Sequence, residues 1–281
     1  MKRILFISVN DHVPWGGSEV LWSETAKKLS SAHKVSALIK KWETEPSPIL
    51  QLKNKGVKVF YKCIKKRQSF RNRVLKRLLK INTEKNINHE LDALEQPDLV
   101  LISLGNHLEH KLFYYTDYLK SHEIPYAIIF QLVTDLRGNH DAVFNRFGSA
   151  FLNAEKIYFL SQDNLDKATM QFSVDLKNSE LINNPFNYKT NYLPLEEEDS
   201  TIYNLGCVAA LNSFHKGLDV FLKTLSAKKW IESTCKLIYM AIVPNKEQIK
   251  RLIALYGLQS KVVLHSMNPI KLRFGVKTKL W

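Results

Sequence analysis

The sequence predicts an α/β protein in which doubly wound parallel sheets are covered by helices. Three observations predict this class: short apolar runs recur along the chain, helix-like segments lie between them, and one polar stretch divides the pattern in two. Short apolar runs are typical of strands that are buried on both faces of a parallel sheet. The helices between them supply the crossover connections that parallel strands require.

The short apolar runs in the first part of the chain predict six strands. They are Arg3–Val9, Val35–Ile39, Val57–Tyr61, Leu99–Ser103, Tyr126–Phe130 and Lys156–Leu160. A loop with two glycines follows the first strand, and apolar residues at helical spacing then predict a helix over Glu19–Leu29. We therefore expect one doubly wound domain over residues 1–190.

Residues 188–201 contain a proline and an acidic run, which predict a linker. A second alternation of predicted strands and helices begins after them. The predicted elements are a strand over Tyr203–Leu211, a helix over Leu218–Lys229, a strand over Lys236–Val243, a helix over Lys246–Leu255 and a strand over Val262–His265. The residues from Asn268 onward show neither a helix nor a strand period. We expect a partial second domain over 201–281, about half of a doubly wound domain.

Composition excludes several classes of protein. The chain has 281 residues, of which 45% are hydrophobic and 24% charged, so it can build a core and is not mainly disordered. It contains no apolar stretch of the ~18 residues that span a bilayer, and its short first apolar run does not resemble a signal peptide. Cys63, Cys207 and Cys235 lie far apart, which predicts neither a disulfide framework nor a zinc site. We expect a cytoplasmic protein.

The positive charge is concentrated in one segment. The chain has 41 basic and 27 acidic residues, a formal charge of +14, and residues 52–80 contain many lysines and arginines but no aspartate or glutamate. Residues 69–81 place apolar residues on one face of a predicted helix with basic flanks. This pattern favours docking on an anionic membrane surface, peripheral on its inner face. The alternative is a helix that packs on the sheet with a solvated basic side.

A nucleic-acid partner is a third interpretation of the charge. We do not favour it, because the basic residues lie in one stretch and no nucleic-acid-binding motif accompanies them.

Two loops have residues suited to binding an anion or a sugar. Gly16 and Gly17 begin the first helix, where glycine lets a ligand approach the backbone and free amides favour negative charge. Lys216 and Gly217 open the helix after the strand at Tyr203, where a lysine offers a point charge to a diphosphate. For the first loop, the alternative is that the glycines only allow the backbone to turn. For the second loop, the alternative is that Lys216 is a solvated lysine beside an ordinary helix start.

Together with two further motifs, these loops resemble glycosyltransferase family 4. The motifs are GG-x-E after the first strand, F-x-S at a strand end, I-x-N-P-x-N at the exit of the first domain, and V-A-x-L with KG-x-D in VAALNSFHKGLD. The resemblance implies the GT-B fold, with two Rossmann-like domains. It also implies a retaining hexosyl transfer from a UDP- or GDP-sugar to a glycan or lipid-linked acceptor in cell-envelope polysaccharide assembly, with neither a metal nor a cofactor.

The resemblance also assigns residues. Lys216 and Gly217 match the part of the family motif that binds the donor diphosphate. The acceptor side of the cleft would contain five residues: Gly16, Gly17, Glu19, His107 and Gln131. The catalytic residue is not identified by these motifs.

The sequence departs from the family pattern at several positions. Ala210 stands where the family has an arginine that partners the lysine, and Gln131 stands where it often has a histidine. Residues 240–244 replace a glycine-rich loop, and no glutamate follows Glu247 to supply the family's E-x7-E motif. These departures predict a truncated donor domain and leave a second interpretation open, an inactive remnant or a module that binds an acceptor or a partner chain.

Overall fold

The chain forms two compact units, Met1–Thr190 and Asn191–Trp281. The computed structural model describes residues 1–62, 90–135, 140–185, 203–208, 216–233, 235–241, 246–266 and 279–280. The predicted basic helix over 69–81 and the predicted linker over 188–201 lie outside these residues. None of the helices in the described ranges has both the length and the apolar character needed to cross a membrane.

A parallel sheet forms the centre of the first unit. Its strands are β1 (Arg3–Ser8), β2 (Lys34–Ile39), β3 (Lys58–Tyr61), β4 (Leu99–Leu104), β5 (Tyr126–Phe130), β6 (Lys156–Phe159) and β7 (Ser179–Leu181). Among the described residues the strand order is β3-β2-β1-β4-β5-β6-β7. β1 pairs with β2 on one side, with Arg3 opposite Lys34, and with β4 on the other, with Ile4 opposite Leu99. The chain order therefore reverses between β1 and β4.

Five described helices cover this sheet. They are α1 (Gly17–Leu29), α2 (Ser47–Asn54), α3 (Lys111–Ser121), α4 (Asp141–Leu152) and α5 (Gln162–Phe172). α1 has Glu19 in its first turn and two lysines in its last turn, which complements the helix dipole. At α5, the Ser161 hydroxyl accepts a hydrogen bond from the Asn164 amide at 3.2 Å and caps the helix.

Both faces of the sheet are buried, as the apolar strands require. Leu5 and Ile7 of β1 belong to a cluster that includes Phe130 and Phe159. The alternate residues Ile4 and Phe6 belong to a second cluster with Trp22 and Ile49. Since successive side chains of a strand point to opposite faces, the two clusters lie on opposite sides of β1.

The second unit has its own parallel sheet. Its strands are β8 (Tyr203–Val208), β9 (Cys235–Ala241), β10 (Val262–Ser266) and β11 (Lys279–Leu280), and the order in the described residues is β10-β9-β8-β11. The described helices are α6 (Leu218–Leu225), α7 (Lys228–Ile231) and α8 (Lys246–Leu255). Leu222 of α6 and Ile249 of α8 are fully buried in a common apolar cluster.

The α/β class and the parallel pairing predicted from the sequence are confirmed. The predicted helix over Leu218–Lys229 is wrong at one point, because it is two helices with a break at Ser226 and Ala227. Ala227 has extended backbone angles (φ −64°, ψ 141°), and the Ser226 hydroxyl donates to the Lys223 carbonyl at 2.7 Å, which ends α6. Lys279–Leu280 adds a short strand beside β8 that the sequence period does not predict.

The substitution Phe130→Ala tests how far the stability of the first unit depends on the apolar cluster that contains Phe130. Its side chain is fully buried, and its ring lies 5.2 Å from that of Phe151 and 5.1 Å from that of Phe159, measured between centroids. We expect Phe130→Ala to lower the free energy of unfolding by about 3–5 kcal/mol, because it leaves a cavity. Urea denaturation followed by circular dichroism measures the loss. Leu152→Ala, at a side chain on α4 that is 57% exposed, is the control, and equal losses would contradict the assignment of Phe130 to the core.

Candidate functional site

The reversal of chain order between β1 and β4 places two loops side by side. In open α/β sheets a crevice forms at such a switch point, beyond the carboxyl ends of the strands. Here the Val9 amide donates to the Ser103 carbonyl at 2.9 Å, which keeps the two strand ends together. A Cβ on Gly105 would lie 3.5 Å from the side-chain carbon of Asn10, so the two loops pack closely. This crevice is the candidate site of the first unit.

Gly16 and Gly17 lie at the start of α1, where the β1–α1 loop enters the helix. Gly16 caps the helix with an extended backbone (φ −143°, ψ 179°), which other residues also adopt. A Cβ on Gly16 would lie 3.4 Å from the Val13 side chain, in ordinary contact. A Cβ on Gly17 would meet no atom within 4 Å among the described residues. The local backbone therefore does not require glycine at Gly17.

Glu19 connects α1 to the end of β1. Its side chain is only 5% exposed, and Oε1 accepts hydrogen bonds from the Ser8 hydroxyl at 3.1 Å and the Ser18 hydroxyl at 3.3 Å. Its other oxygen, Oε2, accepts from the Trp22 indole N–H at 2.8 Å. The Asn10 amide extends the network by donating to the Ser18 hydroxyl at 2.8 Å. Glu19 is thus a buried carboxylate whose hydrogen-bond donors, within the described residues, are all neutral.

Burial raises the pKa of Glu19 above its ordinary value, and the hydrogen bonds from Trp22 and Ser8 offset only part of this effect. A carboxylate without a cationic partner is destabilised by the low dielectric of the interior. Proton uptake by Glu19 therefore occurs at a higher pH than for an exposed glutamate.

Asp11 is the opposite case, a carboxylate between two lysines. Lys62 lies 3.1 Å from its Oδ1 and Lys111 lies 2.8 Å from its Oδ2. The Lys62 side chain is only 8% exposed, and its ammonium also donates to the Ser8 carbonyl. Lys40 donates to the Asp11 carbonyl at 2.7 Å. This Asp11 cluster fixes the β1–α1 loop to β3 and α3.

Burial and charge compete in setting the pKa values of the Asp11 cluster. Burial by itself would raise the pKa of Asp11, but the two lysines outweigh it and lower the pKa. Burial lowers the pKa of Lys62, and the attraction to Asp11 offsets this only in part. Asp11 therefore stays ionised at neutral pH, where its charge compensates the buried ammonium.

Gln131 follows β5 and contributes a polar group to the same edge of the sheet. Its backbone amide donates to the Leu104 carbonyl at 3.1 Å, next to the β4 loop. Its side-chain nitrogen Nε2 is buried and has no hydrogen-bond partner among the described residues, and the same holds for the Thr134 hydroxyl. Buried polar groups are normally paired, so these two atoms are suited to a ligand or a water molecule.

His107 lies at the end of β4, but the structure places its ring inside the unit. The ring is fully buried, its Nε2 lies 2.7 Å from Gln171 Oε1, and its Nδ1 accepts from the Thr134 amide at 3.3 Å. The hydrogen-bond network assigns the proton to Nε2. Gln171 in turn donates to the Thr134 carbonyl at 2.7 Å. His107 therefore anchors the loop after β5 to α5.

The sequence analysis missed several residues of this edge. Asn10 and Asp11 directly follow the first predicted strand, and that position is a signal that could have identified them. Lys62 gave no such signal, because it is one of many cations in the basic stretch. Its burial beside Asp11 depends on contacts between distant parts of the chain.

Lys216 and Gly217 precede α6 in the second unit. The Lys216 side chain is exposed. Gly217 has a left-handed backbone (φ 60°, ψ 25°), and its carbonyl accepts from the Phe221 amide at 2.9 Å. Glycine is favoured at Gly217 by this conformation, which side chains rarely adopt. Ala210 and residues 212–215 of the same motif lie outside the described residues.

Comparisons with solved structures identify the fold. The lipopolysaccharide outer core galactosyltransferase WaaB matches 99% of this chain and 73% of its own, with a TM-score of 0.64 and 14% identity. Anabaena HepE, solved with UDP and glucose, matches 95% of this chain and 70% of its own, with a TM-score of 0.61 and 15% identity. A glycosyltransferase from Rickettsia africae matches 94% and 68%, with a TM-score of 0.64 and 15% identity.

The chain has the GT-B fold. At such low identities the likeness concerns the fold alone, and neither a family model nor a curated protein matches this sequence. Within the GT-B fold, the crevice of the first unit and the start of α6 are the carboxyl-edge positions where open α/β sheets bind ligands. The described residues contain no group of three or more His, Cys, Asp or Glu side chains that could hold a metal ion.

The raised pKa of Glu19 predicts a pH-dependent stability. Because the folded state binds this proton more tightly, ionisation above the ordinary value of 4.5 destabilises the folded state. Glu19→Gln removes this titration, so we expect the stability advantage of the wild type over Glu19→Gln to shrink as pH rises from 4.5 to 7. Urea denaturation at a series of pH values measures this difference.

Glu155→Gln, at an exposed glutamate, is the matched control and is expected to follow the wild type across the series. A difference between wild type and Glu19→Gln that stays constant or grows with pH would contradict the assignment.

Proposed function

We propose that this protein is a glycosyltransferase that moves a hexosyl group from a UDP- or GDP-sugar to a glycan or lipid-linked acceptor. The observation that carries the proposal is the GT-B likeness over nearly the whole chain to WaaB, described as a galactosyltransferase, and to HepE, solved with UDP and glucose. The motifs of glycosyltransferase family 4 in the sequence support the same function and a retaining course.

Lys216 and Gly217 form the donor side of the proposal. The exposed Lys216 ammonium would lie against the diphosphate, and the backbone amides at the start of α6 would face its oxygens. In the transfer, the bond between the anomeric carbon and the diphosphate oxygen breaks and a bond to the acceptor hydroxyl oxygen forms. The hydroxyl proton passes to the departing nucleoside diphosphate. Lys216 would stabilise the negative charge that develops on this leaving group.

The crevice of the first unit forms the acceptor side. Gly16 and Gly17 would allow close approach to the backbone. Gln131 Nε2, for which the described ranges hold no hydrogen-bond partner, would donate to an acceptor or sugar oxygen. Glu19 would hold α1 and the end of β1 in place through its hydrogen bonds to Ser8 and Trp22. His107 would act as a positioning residue through the Thr134 loop.

The cellular setting of the proposal is cell-envelope polysaccharide assembly on the cytoplasmic side of a membrane. WaaB is described as an enzyme of the lipopolysaccharide outer core, which is one precedent for a lipid-linked acceptor on this fold. The basic segment 69–81, which lies outside the described residues, is our candidate for contact with anionic lipid headgroups.

A module that binds an acceptor or a partner without turning over is the second candidate. Ala210 favours it, because family 4 members have an arginine at this position beside the lysine. Removing one of two cations at a diphosphate costs roughly 1.5–3 kcal/mol of charge-assisted hydrogen bonding.

Lys216→Ala tests the donor side. We expect it to raise the Kd for UDP or GDP by about tenfold or more, because a charge-assisted contact to the diphosphate is lost. Isothermal titration calorimetry on the full chain measures this. Lys223→Ala, at an exposed lysine on α6 itself, is the matched control and is expected to bind like the wild type. Equally weakened nucleotide binding in both variants would show that Lys216 acts only through its general charge. If the wild type binds neither UDP nor GDP, the transferase proposal is wrong.

Gly17→Ala separates a ligand-binding role from a structural role. No described atom lies within 4 Å of the added methyl, and alanine favours the helix, so we expect the melting temperature to stay the same or rise slightly. If the acceptor or the transferred sugar approaches the backbone here, the kcat/KM of sugar transfer falls by about tenfold or more. An unchanged kcat/KM of sugar transfer in a stable Gly17→Ala variant would show that Gly17 does not contribute to the site.

A further inference from the structure

A cavity of about 250 Å³ opens beside the crevice of the first unit. Its walls come from the β1–α1 loop, the loop between β2 and α2, and the end of β3. Ser8, Asn10 and Glu19 line it, so it adjoins the network at the start of α1. We propose that this cavity binds one neutral hexopyranose ring and is the sugar subsite for the acceptor. The acceptor role of this sugar rests on the proposed transferase function.

Three aromatic side chains supply flat walls: Trp15, Trp42 and Tyr61. Each is half-buried and held by a neighbour. The Trp15 ring lies 6.2 Å from the Trp22 ring, the Lys40 ammonium lies 3.8 Å from the centre of the Trp42 ring, and the Tyr61 hydroxyl donates to Glu45. The walls are therefore formed before a ligand arrives, which reduces the entropy cost of binding. Flat aromatic walls suit the C–H faces of a pyranose, because the ring face carries negative charge density.

Oxygen and amide groups between these walls suit the hydroxyls of a sugar. The carboxylates of Glu19 and Glu45 and the amide of Asn10 line the cavity. Ionised carboxylates accept hydrogen bonds from hydroxyl groups and have several lone pairs, so their existing partners leave room for more. Glu45 is already fixed by Lys53, whose ammonium lies 2.7 Å away. A few positioned polar groups in an otherwise aromatic cavity are typical of small-molecule sites.

The charges of the lining favour a neutral ligand. Two lysines and three glutamates line the cavity, so the lining carries no excess of positive charge. The Lys40 ammonium is engaged with the Asp11 carbonyl at 2.7 Å as well as with the Trp42 ring. A phosphate or a uronate would bring a negative charge close to Glu19, Glu43 and Glu45, and like-charge contacts oppose binding.

The size of the cavity limits the ligand to about one ring. Sites for drug-sized ligands are usually about 300–1,000 Å³, and this cavity is smaller at about 250 Å³. A nucleoside diphosphate is larger and strongly anionic, so it fits this cavity poorly in both respects. The cavity is thus suited to the terminal sugar of an acceptor.

The test measures sugar binding to the full chain by saturation-transfer difference NMR. Methyl glucoside and methyl galactoside are the neutral probes, and glucuronate is the anionic probe. We expect at least one neutral probe to bind saturably and at least about threefold more tightly than glucuronate. Trp42→Ala is expected to weaken the neutral probe by about fivefold, which is the factor that corresponds to about 1 kcal/mol.

Two variants control the experiment. Trp230→Ala removes a tryptophan of α7 in the second unit that is 38% exposed and should leave sugar binding unchanged. Glu43→Lys, at an exposed residue of the lining, should leave the fold intact and shift the preference towards glucuronate. This second variant keeps the test informative if Trp42→Ala does not fold.

The outcomes separate this inference from the transferase proposal. No binding of either neutral probe, equal or tighter binding of glucuronate, or an effect of Trp42→Ala no larger than that of Trp230→Ala would each overturn the subsite, even where UDP or GDP still binds. If the neutral sugar binds as expected but neither nucleotide does, the cavity is a neutral-sugar site and only its acceptor role fails with the transferase function.

Discussion

The central constraint on the first unit is the parallel pairing of β1 with a neighbour on each side. This pairing buries both faces of the strand, so its interior from Ile4 to Ile7 is apolar, and polar side chains occur only at its two ends, Arg3 and Ser8. The same pairing reverses the chain order between β1 and β4 and brings the loops after these strands together. The glycines of α1, the Asn10 loop and Gly105 lie at the site as a consequence of this topology.

A buried carboxylate, Glu19, and a partly buried one, Asp11, stabilise the β1–α1 loop by different physics. Glu19 is surrounded by neutral donors, so burial dominates and raises its pKa, while Asp11 lies between Lys62 and Lys111, which lower its pKa. Neutral donors hold a carboxylate in place without adding charge to the cavity beside it. The ion pairs of Asp11 compensate the nearly buried ammonium of Lys62, which would otherwise be costly. Hydrogen bonds therefore hold the loop at Glu19 and ion pairs hold it at Asp11, and the two lysines that pair with Asp11 are already engaged.

Much of the fold could be predicted from the sequence, because a strand buried on both faces must be a short apolar run. Tyr126–Phe130 occurs with its predicted ends, and the two sheets follow from the alternation of strands and helices. The site was less predictable. Lys62 meets Asp11 only after β3 pairs with β2, so its role depends on contacts between distant residues. The side-chain nitrogen of Gln131, which has no partner in the part of the chain that the structure describes, and the aromatic walls of the cavity also arise from packing, which no local pattern of residues encodes.

The two units present different chemistry, and the difference supports separate ligands. In the second unit, Lys216 is exposed beside Gly217, whose left-handed backbone explains the glycine without reference to any ligand. In the first unit, Gly17 has no such explanation. The adjoining cavity carries aromatic and acidic side chains, and the ammonium of Lys40 in its lining donates to the Asp11 carbonyl. An exposed cation attracts a diphosphate, whereas a cavity lined by three glutamates and two lysines has no excess of positive charge to attract one. An anionic donor and a neutral acceptor sugar would therefore be sorted to different units by charge alone, before any contact specific to either sugar forms.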